Sequence, residues 1–309
     1  MRIVSVSRRT DIPAFYSPWL FRRLKEGYAL VRNPRNAKQT RFVSLKPEDV
    51  QCFVFWSKDA RPMFAHLDEL EAHGSAFYFL WTVTPYGPEF EPGFPRKEEI
   101  VSAFRQLSGR IGPRRTIWRY DPVVLDDSFP VRKHLEAFAR MCASLDGATE
   151  RCIVSFVDMY RKLRGKGITE VGEEDMRIIA RGFSEIASSH GIAVQTCCEA
   201  ADFGAEGCFP GGCIDAALVE ELSGKPVPEK KDAGQRPLCR CAPSVDIGAY
   251  DTCPGGCAYC YATQSAAAVR ANVSRHDPTS PLLTGIPSPE EQLLIQQSRT
   301  PQQISLGLL

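Results

Sequence analysis

The sequence predicts an α/β fold, either a parallel sheet with helices on both faces or a full or partial (β/α) barrel. Three observations point there. Strand-like and helix-like segments alternate over the first two-thirds of the chain, the pattern of a parallel sheet with helical crossovers. The length, 309 residues, accommodates one barrel of about 250 residues plus tails. Near the C-terminus a cysteine-bearing loop lies between a strand-like and a helix-like segment, as a βα loop would.

The strand candidates are Arg2–Ser7, Cys52–Trp56, Ala76–Thr84, Thr116–Tyr120, Cys152–Val157 and Ile192–Cys197, with Ser244–Gly248 as a seventh. Each is short, rich in β-branched or aromatic residues, and ends in polar or turn-forming residues. Phe15–Glu26, Ala60–His73, Lys97–Ile111, Arg132–Leu145 and Glu173–His190 carry apolar residues at helical spacing. Pro18 and Pro62 mark helix starts, and Glu173, Glu174 and Asp175 suit a helix N-terminus through the dipole. Residues 262–272 read as a helix of high intrinsic propensity.

One domain is expected over residues 1–285. It contains a Gly-, Pro- and Cys-rich excursion at 197–243 and the cysteine loop at 250–262. Residues 286–309 are polar, Gln-rich and expected to be a poorly ordered tail. The formal net charge of +1 gives no clear nucleic-acid signal. No apolar run approaches the ~18 residues of a membrane span, and the N-terminal apolar stretch is too short for a signal peptide. A cytoplasmic protein is therefore expected. The histidines fall on or at the ends of helices, or in the C-terminal segment, and read as surface residues.

Twelve cysteines stand out against that background. Clustered thiols in a cytoplasmic chain point to metal or redox chemistry rather than disulfides. Cys52, Cys142 and Cys152 sit among apolar residues and read as small core hydrophobes. Nine more lie between Cys197 and Cys260. In Asp251-Thr252-Cys253-Pro254-Gly255-Gly256-Cys257-Ala258-Tyr259-Cys260-Tyr261-Ala262, three cysteines have C-x3-C-x2-C spacing. Pro and Gly supply the bend that lets three thiolates converge. Thiolates are iron–sulfur ligands, and three of them leave one iron of a 4Fe-4S cubane open. A zinc site is the competing reading, with Cys239 or Cys241 as a fourth ligand.

This spacing, with Tyr259 before the last cysteine, resembles the signature of the radical S-adenosylmethionine superfamily. The resemblance implies that Cys253, Cys257 and Cys260 hold the cluster. It also implies that S-adenosylmethionine binds the open iron and is cleaved reductively, that Tyr259 lies near the adenine, and that an electron donor such as flavodoxin or ferredoxin is needed. In that superfamily the motif usually follows the first strand. Here it lies near the end, which a circular permutation of the barrel would reconcile, and the resemblance favours the barrel over a sheet with helices on both faces. No Gly-Gly-Glu-type motif is present.

The chain to about Gly285 also resembles the bacterial family catalogued as domain of unknown function 1848. The matching stretches are Ser5–Pro13, Val31–Pro34, Phe55–Lys58, Thr84–Gly87, Trp118–Pro122 and Asp246–Tyr250. That family is noted for a C-terminal cysteine cluster like that of radical S-adenosylmethionine enzymes.

In parallel barrels chemistry gathers at strand C-termini. Arg8, Arg9, Asp11, Lys58, Tyr86, Arg119 and Asp121 are the barrel-mouth candidates. Arg8, Arg9, Arg32 and Arg119 are suited to bidentate binding of anionic groups. Arg119 is the candidate for the cofactor carboxylate, and an anionic substrate, small-molecule or macromolecular, follows. Cys197, Cys213, Cys239 and Cys241 form a possible second site for a cluster or zinc, in competition with plain unligated thiols. Two further readings compete for the chain as a whole: a non-catalytic iron–sulfur or zinc protein, and a barrel enzyme of another type acting on nucleic acid or phosphate esters.

Overall fold

A computed structural model describes residues 1–163 and 167–299. Eight strands form one parallel sheet in the order β10-β1-β4-β5-β6-β7-β8-β9. They are β1 (Arg2–Val6), β4 (Val50–Ser57), β5 (Ala76–Thr82), β6 (Thr116–Val123), β7 (Arg151–Phe156), β8 (Ala193–Cys197), β9 (Phe209–Gly211) and β10 (Ser244–Asp246). An antiparallel hairpin of β2 (Tyr28–Asn33) and β3 (Asn36–Ser44) stands apart from it. The helices are α1 (Ile12–Phe15), α2 (Ser17–Glu26), α3 (Leu67–Ala72), α4 (Lys97–Ile111), α5 (Val131–Leu145), α6 (Glu173–Ser188), α7 (Ala216–Ser223), α8 (Ala266–Val273) and α9 (Pro289–Arg299). Among the described residues no helix is long and apolar enough to cross a membrane.

The period-two alternation of each strand divides the apolar residues between two cores. Val4, Phe53, Phe55, Phe77, Phe79, Trp81, Trp118 and Val154 pack with residues of α2, α4, α5 and α6. Their alternates Ile3, Cys52, Val54, Trp56, Tyr78, Leu80, Ile117 and Ile153 pack with one another and with Leu218 and Val219 of α7. Helices thus cover one face, while the other face curls over its own side chains. Tyr78 spans that interior. Its hydroxyl donates to the Cys213 carbonyl at 2.8 Å and accepts from the Asp215 N–H at 3.3 Å.

The closed form of the expected barrel does not occur. The sheet is open between β9 and β10, each only three residues long. Beyond those short ladders the Ala242 N–H reaches the Ile214 carbonyl at 2.9 Å. The strand that precedes the cysteine loop, β10, lies beside the N-terminal strand β1.

Several boundaries move for local reasons. The helix expected over 60–73 splits into a 3₁₀ turn (Arg61–His66), with Pro62 in its first turn, and α3. The helix expected from 262 starts at Ala266, where the Ser265 side chain caps it by accepting from the Ala268 N–H at 3.1 Å. Residues 286–299 are not a disordered tail. Ser288 and Glu291 form a reciprocal capping box, with Pro289 at the first helical position, and α9 results. Glu291 then binds Arg32 at 2.8 Å and Thr40 at 2.6 Å on the hairpin. The rest of the expected tail, 300–309, lies outside the described residues.

Replacing Tyr78 with Phe leaves the buried Cys213 carbonyl and the part-buried Asp215 N–H short of a partner. A loss of about 1–3 kcal/mol is expected, read as a lower urea midpoint at unchanged slope. Unchanged stability would mean that this contact does not hold the curl.

Candidate functional site

The C-terminal ends of the parallel strands meet at one rim, and the cysteine loop lies across it. The loop is fastened by backbone contacts first. The Ala258 N–H donates to the Phe90 carbonyl at 2.8 Å, and the Gly93 N–H donates to the Gly255 carbonyl at 3.1 Å. A Cβ on Gly93 would meet the Gly255 backbone at 2.7 Å, so this approach requires glycine. On the other side the Tyr16 hydroxyl donates to the Thr252 carbonyl, and Lys162 donates to the carbonyls of Cys260 and Thr263.

A buried ion cluster fastens it further. Glu91, 3% exposed, accepts from Lys58 Nζ at 2.8 Å, Thr84 Oγ1 at 2.6 Å, the Tyr259 hydroxyl and Lys97 Nζ. Burial opposes the charge, but Lys58 and Lys97 beside it hold the Glu91 carboxyl down at about 2. Tyr259 is therefore buried in the loop's anchor, in edge contact with Tyr86 at 5.7 Å. Tyr261 is an exposed aromatic at the rim, and its hydroxyl donates to the Arg8 carbonyl.

The three thiols of the loop are free and part-exposed. Burial above all, with the neighbouring thiols as a smaller cause, raises the Cys257 thiol and pushes Cys253 to about 12. Among the described residues, no group of three or more His, Cys, Asp or Glu side chains already stands in metal-binding geometry.

The other rim residues divide by role. Asp11 ties the turn after β1 to the end of β4, accepting from Ser57 Oγ at 2.8 Å and the Lys58 N–H at 2.7 Å. Burial raises its carboxyl to about 7 against those donors. Arg8 and Arg119 lie over the Trp56 ring at 5.4 and 4.8 Å from its centroid. Arg119 pairs with Asp121, which also accepts from Ser155. Arg119 Nε and Trp56 Nε1 are buried donors without a protein acceptor, so this patch can take an anion or an acceptor oxygen. Arg9 lies over Tyr250 at 5.3 Å. Glu199, after β8, accepts from the Phe156 N–H at 3.0 Å, and burial raises it to about 7, leaving an acid able to hold a proton at neutral pH.

Some expected candidates lie elsewhere. Tyr86 is fully buried, donating to the Pro122 carbonyl at 2.8 Å and accepting from the Val124 N–H at 2.7 Å. Arg32 belongs to the α9 contact. His134, expected at the surface, is fully buried between the Tyr120 hydroxyl and the Val124 carbonyl, each at 2.8 Å. Sequence reasoning missed Glu91, Lys97, Lys162 and Asp246. Asp246 accepts from Ser5 Oγ and the Arg8 N–H, at 2.9 and 2.8 Å, and from Ser7 Oγ. A lone acid inside the apolar Ser244–Gly248 run was its signal. Two surface depressions, lined by Glu173, Arg177 and Arg181 and by Arg61, Glu99 and Gln106, lie on outer helices away from the rim.

The scattered thiols behave as core residues. Cys52, Cys142 and Cys152 are buried, and burial raises all three. The second cysteine set comes together. Cys197 Sγ and Cys213 Sγ are 3.2 Å apart, and backbone N–H groups of Ile214 and Cys241 lie 3.3 Å from Cys241 Sγ and 3.5 Å from Cys239 Sγ. The neighbouring Cys213 and Cys239 thiols draw the Cys241 thiol below its ordinary range.

Residues 3–262 match the family described as "Domain of unknown function (DUF1848)". The chain belongs to this family. The DUF1848 match takes in every rim residue above and all three loop cysteines, and ends at Ala262. No curated protein matches the chain. Among solved structures it is similar to one from Bacteroides thetaiotaomicron VPI-5482 described as a "putative alpha-L-fucosidase". The identity is 9%, over 52% of this chain and 68% of that one, with a TM-score of 0.23, too low to carry an argument.

Glu91→Gln is expected to destabilise the protein by ~2–3 kcal/mol. That is below the ~3–5 of a fully dry pair, because the lysine heads keep some water. The folded pKa lies below the unfolded value. The contribution is therefore present above about pH 4.3 and is lost as pH falls towards 2. In urea melts of both proteins between pH 6 and 3 the gap should narrow steadily towards the acid end; a constant gap would refute the charge assignment.

Proposed function

We propose that the protein is a radical S-adenosylmethionine enzyme whose 4Fe-4S cluster is held by Cys253, Cys257 and Cys260. The observation that carries this reading is the placement of three free thiols, in C-x3-C-x2-C spacing, on a pinned loop at the C-terminal rim of a parallel sheet. The donor set suits the group: three soft thiolates leave one iron for an exogenous ligand. The position of β10 beside β1 supports a circularly permuted arrangement, in which the usual first βα unit comes last.

When bound, the cluster supplies the electron for reductive cleavage of S-adenosylmethionine. The chain's own residues do the positioning. Glu91, Lys58 and Lys97 hold the loop through Tyr259. Lys162 donates to the Cys260 and Thr263 carbonyls on the far side of the loop. The Arg8–Trp56–Arg119 stack, with its two unpartnered donors, suits a carboxylate, either the cofactor's or that of an anionic substrate. Glu199 can give or take a proton near neutral pH.

The test is anaerobic loading with iron and sulfide, then dithionite reduction with S-adenosylmethionine, assayed for 5′-deoxyadenosine. Wild type should form it, and the Cys253→Ala/Cys257→Ala/Cys260→Ala variant should form none. Equal product from both would sink the assignment.

A further inference from the structure

We propose that Cys197, Cys213, Cys239 and Cys241 bind a single zinc ion that clasps the two open edges of the sheet. The site stands apart from the loop cysteines and does not depend on the reading given to them. Cys197 ends β8, Cys213 follows β9, and Cys239 and Cys241 precede β10. The four therefore come from both sides of the gap where the ladder fails.

Cys197 and Cys213 are in direct contact through their sulfurs, and the Ile214 and Cys241 backbone donors bring the sulfurs of Cys241 and Cys239 alongside. All four residues are buried. None is in a disulfide. The distance separates one metal class from another. Zn–S bonds of about 2.3 Å in a tetrahedron put ligand sulfurs about 3.8 Å apart, and Cys197 and Cys213 are already in contact at 3.2 Å. A cubane holds its ligand sulfurs on separate irons, much farther apart than a zinc tetrahedron does, so this close pair lies nearer to the zinc spacing. Gathering the four thiols round one centre takes side-chain rotation.

The backbone is already shaped for thiolates. The Ile214 N–H points to Cys241 Sγ at 3.3 Å, and the Cys241 N–H to Cys239 Sγ at 3.5 Å. Amide donors of this kind stabilise the sulfur charge of a metal-bound thiolate. Gly212 packs its backbone on Arg240, where a Cβ would meet the Arg240 carbonyl at 2.6 Å, and that approach brings Cys213 to the C-x-C pair. Four thiolates on Zn²⁺ carry a net double negative charge. Arg119 and Arg8 are electrostatic neighbours of Cys197 and Cys241, and Arg119 Nε is a buried donor with no acceptor. Phe203, Ile214 and Val227 anchor the segment 199–243 beside α7, and a metal would add a clasp between its two ends.

The experiment is metal analysis of anaerobically purified wild type and of the Cys253→Ala/Cys257→Ala/Cys260→Ala variant, which lacks the other thiol set. One zinc per chain should be found in both, and should be lost in Cys213→Ser/Cys241→Ser. Since that last variant could unfold, cobalt(II) is also titrated into metal-stripped triple-Ala protein. The intense visible bands of tetrahedral cobalt thiolate are expected, saturating at one equivalent and displaced by zinc. Iron with sulfide in the triple-Ala variant would overturn the proposal. So would a folded, metal-free protein that gives no tetrahedral cobalt spectrum.

Discussion

Glu91 keeps its charge where water hardly reaches, and it does so because two lysines from different parts of the chain converge on it. Lys58 comes from the end of β4 and Lys97 from the first residue of α4. Thr84 and Tyr259 complete the set. The carboxylate therefore ties the end of one strand, the start of a helix and the middle of the cysteine loop to a single point. Removing any one partner would strand charge or an unsatisfied donor in a dry site. Such an interaction contributes little net stability while intact, but it fixes one geometry. For a loop that must present three thiols together, geometry is what matters.

A second consequence follows from topology. The cysteine loop leaves a strand that is last in sequence and lies at the sheet edge beside the first. Asp246 fastens that edge by accepting from Ser5, Ser7 and the Arg8 backbone. These contacts deliver Arg8 to the rim beside Trp56 and Arg119. The rim thus joins residues far apart in sequence around a patch with unspent hydrogen-bond donors. An acceptor-bearing anion would satisfy those donors, which nothing among the described residues does.

Much of the sheet was legible from alternation, because buried parallel strands read as short runs of Val, Ile, Phe and Trp. The β2–β3 hairpin was not. Asn36–Arg41 faces solvent and is polar along both faces, so no period-two signal survives. β9 and α7 were too short to stand out in a Gly- and Pro-rich stretch, although Asp215 and Gly224 cap α7 at its two ends. The thiols of 197–241 exceeded what packing needs, which marked them, but their spacing could not say which would meet. Glu91 was invisible for a different reason. Glu89, two residues earlier in the same Pro- and Gly-rich segment, is exposed, and only tertiary burial distinguishes the two. Tyr259 was noticed for its place in the motif; that it points inward to Glu91 could not be read without the fold.

The central claim is that the loop thiols leave one iron of a cluster open to a small ligand. Electron paramagnetic resonance tests it most directly. The anaerobically loaded, dithionite-reduced protein is recorded without and with S-adenosylmethionine, in the Cys213→Ser/Cys241→Ser background if that folds and otherwise in wild type. A reduced 4Fe-4S signal whose g-values shift when S-adenosylmethionine is added is the expected result. A 4Fe-4S signal that S-adenosylmethionine leaves unchanged, or no cluster on Cys253, Cys257 and Cys260 at all, would contradict the account.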